Sequence, residues 1–237
     1  MRPLGWAVDF LFPPRCPACL MRTVRVDLCP ACRRAVRFAG SPLCPCCGES
    51  FAGTGPDHLC HRCAQRHPRF ARARACTLYR SDRPDPIITT LHRFKYGRDV
   101  TLAGMLGRFL AAHSPLQIDQ DLVVPVPLHP DRLRWRGFNQ ALSLARRLVP
   151  RGDPRLAPMA LVRQRATLAQ VGLGEADRRS NIRGAFAVRD PARLRGRRVL
   201  LVDDVMTTGA TADECAGTLR RAGARQVDVL VLARAAA

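Results

Sequence analysis

Thirteen residues, Val199 to Thr211 (VLLVDDVMTTGAT), constrain the fold more than any other part of the chain. The four apolar residues that begin this stretch are long enough for one buried strand of a parallel sheet. Asp203 and Asp204 follow, and a loop of small, hydroxyl-rich residues leads into a helix predicted from Ala210 to Ala222. A strand, a loop and a helix in this order predict an α/β protein with a ligand site at one edge of its sheet.

The residue types that follow the strand suit a sugar phosphate. Backbone N–H groups of the loop and the N-terminus of the next helix attract a phosphate, and threonine hydroxyls can donate further hydrogen bonds. Asp203 and Asp204 would repel a phosphate, but they can accept hydrogen bonds from sugar hydroxyls beside it. The stretch therefore predicts a site for ribose and its 5-phosphate. The alternative is an ordinary strand-to-helix turn whose acids cap the helix.

Four apolar residues, two acids and a T-T-G-x-T loop, in this order, resemble a known ligand-binding signature. It is the thirteen-residue sequence with which type I phosphoribosyltransferases bind 5-phosphoribosyl 1-pyrophosphate (PRPP). The resemblance implies that the two acids bind the ribose hydroxyls and that the loop holds the 5-phosphate. The residues implicated in this way are Asp203, Asp204, Met206, Thr207, Thr208, Gly209, Ala210 and Thr211.

A second strand–loop–helix unit precedes the signature. Leu122 to Val126 is a short apolar strand, Pro127 to Gln140 is a basic loop, and a helix is predicted from Asn139 to about Leu148. In a parallel sheet this loop opens on the same edge as the signature, where it could hold a second anion, the pyrophosphate. The alternative is helix-start chemistry with surface arginines. The candidate pyrophosphate residues are Pro127, Leu128, His129, Arg132 and Arg136.

A long polar segment runs from Arg163 to Phe186. A loop of this length in a compact domain is usually functional or disordered. Gly172 and Gly174 allow hinge motion, and the arginines of the segment could close over an anionic ligand and exclude water. The candidate flexible-loop residues are Arg163, Thr167, Gln170 and Arg178.

The first seventy residues contain nine of the eleven cysteines, and eight of these form four C-x-x-C pairs. Each pair can place two thiolates on one tetrahedral metal, so the four pairs predict two four-sulfur sites, for which Zn²⁺ fits best. A disulfide framework is disfavoured without a secretion signal, and iron–sulfur ligation or a redox motif suits paired knuckles less well. The predicted ligands are Cys16, Cys19, Cys29, Cys32, Cys44, Cys47, Cys60 and Cys63.

The pairing of the four knuckles has two solutions. A sequential pairing joins the first two knuckles in one site and the last two in the other, and an interleaved pairing is also sterically possible. The sequential solution is favoured because local loops close at a lower entropic cost. Cys46 lies inside the third knuckle and is expected to be a spare.

The chain has 237 residues and a formal net charge of +20, and Lys95 is its only lysine. The net positive charge implies affinity for a polyanion, either a nucleic acid or a phosphorylated substrate, unless it is only a solvated basic surface. No apolar run approaches the length of a membrane span, and the N-terminus, with Trp6 and Phe10 to Phe12, resembles a docking segment more than a signal peptide. We therefore expect a cytoplasmic protein without membrane insertion.

The chain divides into a cysteine-rich part, residues 1–70, and a larger part, residues 71–237, with a linker near residues 64–72. Asp85 and Pro86 are a good helix start, with the acid at the cap and proline in the first turn. The remaining predicted elements are strands at Ala73–Arg80, Phe186–Val188 and Val227–Leu232 and helices at Asp85–Gly97 and Thr101–His113.

The order of motifs along nearly the whole chain resembles the ComF competence-protein family, which includes its close relative GntX. These motifs are the cysteine knuckles, FKYGRD, VPVPLHPDRLRWRGFNQA, RxRxTxxQ with RxxNxxGAF, and the PRPP signature. The resemblance implies a double zinc ribbon joined to a type I phosphoribosyltransferase fold, a parallel sheet flanked by helices. It also implies Mg²⁺ carried on the PRPP oxygens and a role in natural transformation.

Two functional hypotheses follow. The chain is an enzyme that transfers phosphoribose to an acceptor that the sequence does not identify, since no general base stands out. Alternatively, it is a DNA-uptake or DNA-processing factor that binds PRPP or single-stranded DNA without turnover, together with DNA-uptake or recombination proteins.

Overall fold

The computed structural model describes residues 13–80, 82–167 and 175–236. The predicted docking segment with Trp6 and Phe10 to Phe12 lies outside these ranges, as do Gln170, Gly172 and Gly174, and the side chain of Arg178 is not described. Within the described ranges, no helix has both the length and the apolar composition needed to cross a bilayer.

A parallel sheet forms the centre of the larger part of the chain, and the predicted fold class is confirmed. Its strand order is β1-β6-β5-β2, with all neighbouring strands parallel. The strands are β1 (Arg72–Tyr79), β2 (Leu122–Pro125), β5 (Arg198–Met206) and β6 (Gln226–Ala235). Two further strands, β3 (Leu161–Arg163) and β4 (Phe186–Val188), form a separate antiparallel pair.

Helices cover both faces of the sheet, as an apolar parallel sheet requires. The helices of the described residues are α1 (Pro30–Ala35), α2 (His61–Arg66), α3 (Pro86–Tyr96), α4 (Leu102–Ala112), α5 (Pro130–Arg136), α6 (Gln140–Ala145), α7 (Glu175–Ile182) and α8 (Ala210–Arg221). Along β5, Leu200 and Val202 pack with α3, α4 and α6, whereas Val199 and Leu201 pack against α8.

Several elements differ from their predicted form. The segment from Arg163 to Phe186, predicted as a flexible loop, begins in strand β3 and contains helix α7. Strand β6 extends to Ala235 rather than ending at Leu232. Strand β5 does not end at Val202 but continues through both acids to Met206, because it pairs with β6 as far as Arg234. The predicted loop from Pro127 to Gln140 contains helix α5, which proline starts at its first position. Helix α6 ends at Ala145, earlier than the sequence suggested.

The cysteine-rich part packs directly against the larger part. Leu28 and Val36 share a buried cluster with Ile87 and Leu91 of α3. This region has too few aliphatic residues for a core of its own, and its apolar side chains instead complete the core of the neighbouring domain.

Backbone hydrogen bonds also join the cysteine-rich part to β1, the strand at the edge of the sheet. The Leu78 amide donates to the Arg37 carbonyl at 2.8 Å, and the Ala39 amide donates to the Cys76 carbonyl at 3.0 Å. Further along β1, the Ala73 amide donates to the Cys46 carbonyl at 2.7 Å. The ribbon therefore pairs with backbone groups that an edge strand would otherwise expose.

Candidate functional site

The two acids expected to bind ribose lie at the carboxyl end of β5. The Asp204 amide donates to Asp203 Oδ1, and the Val205 amide donates to Asp204 Oδ1, both at 2.9 Å. Asp204 is buried, and its Oδ2 forms an ion pair with the ammonium of Lys95, at the end of α3. These local hydrogen bonds and the ion pair hold both carboxylates in fixed positions at the sheet edge.

Burial and neighbouring charges shift the pKa values of Asp203 and Lys95. Burial and the neighbouring Asp204 carboxylate raise the pKa of Asp203 to about 8. Burial acts to lower the pKa of Lys95, but the Asp204 carboxylate outweighs it, and the net pKa is raised. Lys95 therefore stays charged beside Asp204, whereas Asp203 holds a proton up to about pH 8, and a hydroxyl-donating or cationic partner would favour its carboxylate form.

The small-residue loop after β5 leads directly into α8. Gly209 adopts a left-handed conformation, with φ of 81°, immediately before the first helical residue, Ala210. The Ala210 amide donates to the Thr208 hydroxyl at 3.4 Å. The loop and Asp203 line one small cavity, in which Asp203, Thr207 and Thr211 come together. Asp203, the threonines and the amino end of a twelve-residue helix thus face a shared space, whereas Asp204 is not part of its lining.

A cationic wall near the acids consists of three arginines from two separate segments: Arg132 and Arg136 of α5 and Arg163 of β3. Arg136 of α5 is 8% exposed and donates to Gln140 Oε1 at 2.7 Å, and Arg163 of β3 is 9% exposed and contacts Thr167. Burial lowers the pKa of both guanidinium groups, and Arg132 is close enough to lower both further. Neither Nε atom has a hydrogen-bond partner among the described residues.

The remaining candidates of the basic loop position this wall. The ring of His129 caps α5, because its Nδ1 accepts the Asp131 amide at 3.3 Å. Asn139 caps α6 and also donates from its side chain to the Val126 carbonyl at 3.0 Å, which ties the loop to the end of β2. Pro127 and Leu128 connect β2 to this cap.

Lys95 belongs to the site but was not among the predicted site residues. It lies far from the signature in sequence, on a different helix, and only the fold brings it to Asp204. One signal in the sequence could have identified it: a single lysine in a chain whose other basic residues are all arginine or histidine.

The eight knuckle cysteines form two groups of four, and the sequential pairing is confirmed. Within each group, the ligand sulfurs lie within 4.8 Å of one another; Cys19 and Cys29 are 3.6 Å apart, as are Cys47 and Cys60. Zinc with Zn–S bonds of about 2.3 Å requires sulfurs about 3.8 Å apart in a tetrahedron. The donor sets fit structural Zn²⁺. The groups are Cys16, Cys19, Cys29 and Cys32, and Cys44, Cys47, Cys60 and Cys63.

Two family profiles match the chain. One describes a double zinc ribbon domain and matches residues 7–64, and the other describes a phosphoribosyl transferase domain and matches residues 135–237. The chain is 34% identical over 214 residues to "DNA utilization protein YhgH" of Escherichia coli O6:H1, covering 87% of this chain and 90% of the relative. It is 31% identical over 232 residues to "Competence protein F" of Haemophilus influenzae, covering 93% and 97%. The chain belongs to the ComF family.

A more distant ComF relative is "Competence protein ComFC" of Streptococcus pneumoniae, which is 26% identical over 217 residues and is covered to 91%, as is this chain. The matches extend across both the zinc ribbon and the phosphoribosyltransferase-type domain. The expected ComF resemblance and the expected combination of folds are therefore confirmed.

In this ComF protein the second four-cysteine group borders the loop between β5 and α8. A cavity of about 70 Å³ is lined by Cys47 and Phe70 on one side and by Thr208, Gly209 and Ala210 on the other. The ribbon thus supplies part of the wall around the loop.

A buried arginine connects the same zinc group to the sheet. Arg234 of β6 is 2% exposed, and its Nη2 lies 3.5 Å from Cys47 Sγ and 3.5 Å from Glu49 Oε2. Four thiolates on one Zn²⁺ carry a net charge of −2, so a buried cation beside them is electrostatically favourable.

The linker is fastened to the first turns of α8. Arg69 donates from its backbone amide to Asp213 Oδ1 at 2.6 Å, and its Nη2 donates to Asp213 Oδ2 and Glu214 Oε2, both at 2.8 Å. Glu214 also accepts the Gly184 amide at 3.0 Å. The linker and the segment that follows α7 therefore meet on α8, the helix that starts at the small-residue loop after β5.

Proposed function

We propose that this ComF protein binds PRPP at the carboxyl edge of its sheet. Asp203 and Asp204 would accept hydrogen bonds from the ribose hydroxyls, and the loop from Met206 to Thr211 would hold the 5-phosphate. Arg132, Arg136 and Arg163 would bind the pyrophosphate. Mg²⁺ would be bound through PRPP oxygens and water rather than in a protein cage.

The observation that supports this proposal is the pair of buried guanidinium groups, Arg136 and Arg163. Each has an Nε without a hydrogen-bond partner among the described residues, and each lies near the acids of β5. Leaving a buried cation without a full set of acceptors is unfavourable, and an anionic ligand with several oxygens supplies them. Pyrophosphate attached to a ribose that contacts Asp203 fits this arrangement of charges.

We further propose that the bound PRPP undergoes transfer. The bond between the anomeric carbon and pyrophosphate would break through an oxocarbenium-like state, and an acceptor nucleophile would form the new bond as pyrophosphate leaves. The arginines would stabilise the departing charge. A separate cavity of about 530 Å³, bordered by Lys95, Val205, Tyr79 and His92, gives room for an acceptor of the size of a nucleobase or larger.

A second candidate function is binding of single-stranded DNA without turnover, in the cytoplasm and in contact with DNA-uptake or recombination proteins. The net charge of +20 favours a polyanionic partner. The relatives named for DNA utilization and competence support a link with DNA. In either case we propose residues 1–70 as the zinc ribbon and residues 71–237 as the ligand-binding domain.

Isothermal titration calorimetry with PRPP and Mg²⁺ tests the first proposal. Removal of a charge-assisted hydrogen bond costs about 1.5–3 kcal/mol, so Asp203→Asn combined with Asp204→Asn should weaken PRPP binding at least tenfold. The matched control is Asp119→Asn, because Asp119 is exposed and pairs with Arg198 at the opposite end of β5. Equal PRPP affinity of the double variant and the wild-type protein would refute the ribose assignment.

A further inference from the structure

Two large aromatic side chains are exposed at the rim of the proposed PRPP site. Tyr96, at the end of α3, is 58% exposed, and Trp135, on α5, is 52% exposed. The core beneath them is already filled by Phe94 and Phe138, whose ring centroids are 4.6 Å apart. Core packing therefore accounts for the two phenylalanines but not for Tyr96 and Trp135.

An arginine lies against each exposed ring. The guanidinium carbon of Arg98 is 5.1 Å from the centre of the Trp135 ring, and that of Arg136 is 5.7 Å from the centre of the Tyr96 ring. Both distances are in the range of cation–π contacts. We call the surface made by Tyr96, Arg98, Trp135 and Arg136 the aromatic platform.

The backbone at Arg98 is strained. Arg98 has a φ of +53°, a left-handed conformation that is unfavourable for a residue with a Cβ. Gly97, immediately before it, has an ordinary right-handed conformation, so the chain does not use its glycine where a left-handed residue is needed. The residue with this strained backbone is the one whose guanidinium lies over Trp135, and strain of this kind clusters at functional sites.

The platform carries two arginines, and the acids adjacent to it in sequence have other cationic partners. Asp131 is paired with Arg134, and Asp99 is paired with Arg93 at 3.7 Å. Asp204, the acid of β5 that acts on Arg136, is paired with Lys95. Arg98 and Arg136 therefore face the rings while these acids have other cationic partners. Exposed rings interleaved with cations bind single-stranded nucleic acids, because bases stack on the rings and phosphates contact the arginines.

We propose that the aromatic platform binds a single-stranded nucleic acid, with bases stacked on Trp135 and Tyr96. A double helix keeps its bases stacked inside and offers no free base faces to these rings, so the partner is single-stranded. Tyr96 follows Lys95, and Arg136 belongs to the cationic wall, so the bound strand runs past the edge of the PRPP site. The inference rests on the second candidate function and gives its partner a location.

Fluorescence anisotropy with a labelled oligothymidylate, at low and at moderate salt, tests the inference on the full chain with zinc bound. Replacement of Trp135 or Tyr96 by alanine should raise Kd by about 5- to 150-fold each, the effect expected for loss of one stacked base. Trp135→Phe should retain most of the affinity, because a phenylalanine still offers a ring. The matched control is Met159→Ala, which removes another exposed large side chain, 53% exposed, away from the platform.

The salt dependence separates stacking from phosphate contacts. The alanine variants should keep the wild-type slope of log Kd against log salt, whereas Arg98→Gln should reduce it, because that slope counts phosphate contacts. Binding of the oligothymidylate with equal Kd by wild-type, Trp135→Ala and Tyr96→Ala proteins would overturn the platform and leave DNA binding elsewhere. Absence of binding by the wild-type protein at low salt would overturn the DNA function itself, and the PRPP titration would still test the first proposal.

Discussion

Lys95 forms an ion pair with Asp204 across the carboxyl end of the sheet, and both side chains are largely shielded from water. Neither group is easily replaced, because removal of one partner leaves the other as an uncompensated buried charge. The pair joins α3 to β5 beside the proposed ribose site. It therefore connects stability of the fold with the geometry of ligand binding.

A double-mutant cycle should reveal this coupling. Lys95→Met is expected to destabilise the fold by about 3–5 kcal/mol, because it leaves the buried Asp204 carboxylate without its cationic partner. Lys95→Met combined with Asp204→Asn should recover part of that loss. Urea unfolding followed by circular dichroism measures each variant, and strictly additive losses would contradict the pairing.

The raised pKa of Asp203 predicts a pH-dependent stability. The folded chain holds a proton on Asp203 up to about pH 8, whereas the unfolded chain releases it near pH 4. Stability contributed by this group is therefore complete below pH 4 and decreases as the pH rises towards 8, by at most about 1.4 kcal/mol per pH unit. The thermal stability of Asp203→Asn relative to wild type should rise across this window and level off above it.

Asp153 supplies the control of opposite sign. Its hydrogen bonds with Arg155 lower its pKa, so the stability that it contributes is lost only as the pH falls into the acidic range. Asp153→Asn should thus differ from wild type by a constant amount between pH 5 and 8. Differential scanning fluorimetry measures the melting temperatures. If Asp203→Asn also differs from wild type by a constant amount across this pH range, the pKa of Asp203 is not raised.

The cationic wall predicts a difference between two ligands. Arg163→Gln should weaken PRPP binding by about 10- to 150-fold, through loss of a charge-assisted contact with the pyrophosphate. It should leave the affinity for ribose 5-phosphate, which lacks that group, nearly unchanged. Arg198→Gln, at the opposite end of β5, is the matched control, and equal weakening of both ligands would argue against the pyrophosphate role of Arg163.

The two four-cysteine groups predict that replacement of Cys47 lowers the zinc content, whereas replacement of the adjacent Cys46 does not. Cys47→Ser should remove about one of the two zinc ions per chain, because a structural site needs all four of its ligands. Cys46→Ser should keep both, since Cys46 is outside the four-sulfur groups. Inductively coupled plasma mass spectrometry measures the zinc content. Cys47→Ser should also weaken PRPP binding, because Cys47 borders the proposed phosphate loop. Full metal content in this variant would contradict the assignment of the zinc ligands.

Structural features that depend on contiguous residues were predictable from the sequence. Strand β5, the acids and helix α8 follow one another within a short stretch, and the cap at Asp85 accepts amides from Ile87 and Ile88 as its position predicts. The sulfur pairing also followed from local loop closure. In each case the determining interactions are close in sequence.

Features that depend on distant residues were not predictable in the same way. Helix α5 was missed because its arginines obscure the apolar pattern, although His129 and Pro130 are a usable start signal. The extension of β5 depends on its pairing with β6, and the ion pair of Lys95 depends on the packing of α3. Tertiary contacts decide these points, and a one-dimensional pattern does not contain them.

The backbone pairing between the ribbon and β1 has a consequence for the behaviour of the chain without metal. Phe38 bridges to Thr77, and neighbouring amides of both segments bond across the same boundary. If loss of zinc releases the ribbon, the open side of β1 becomes an uncovered template to which a strand of another molecule can add. Zinc depletion would then promote self-association of the chain, and bound zinc would prevent it by keeping the ribbon on β1.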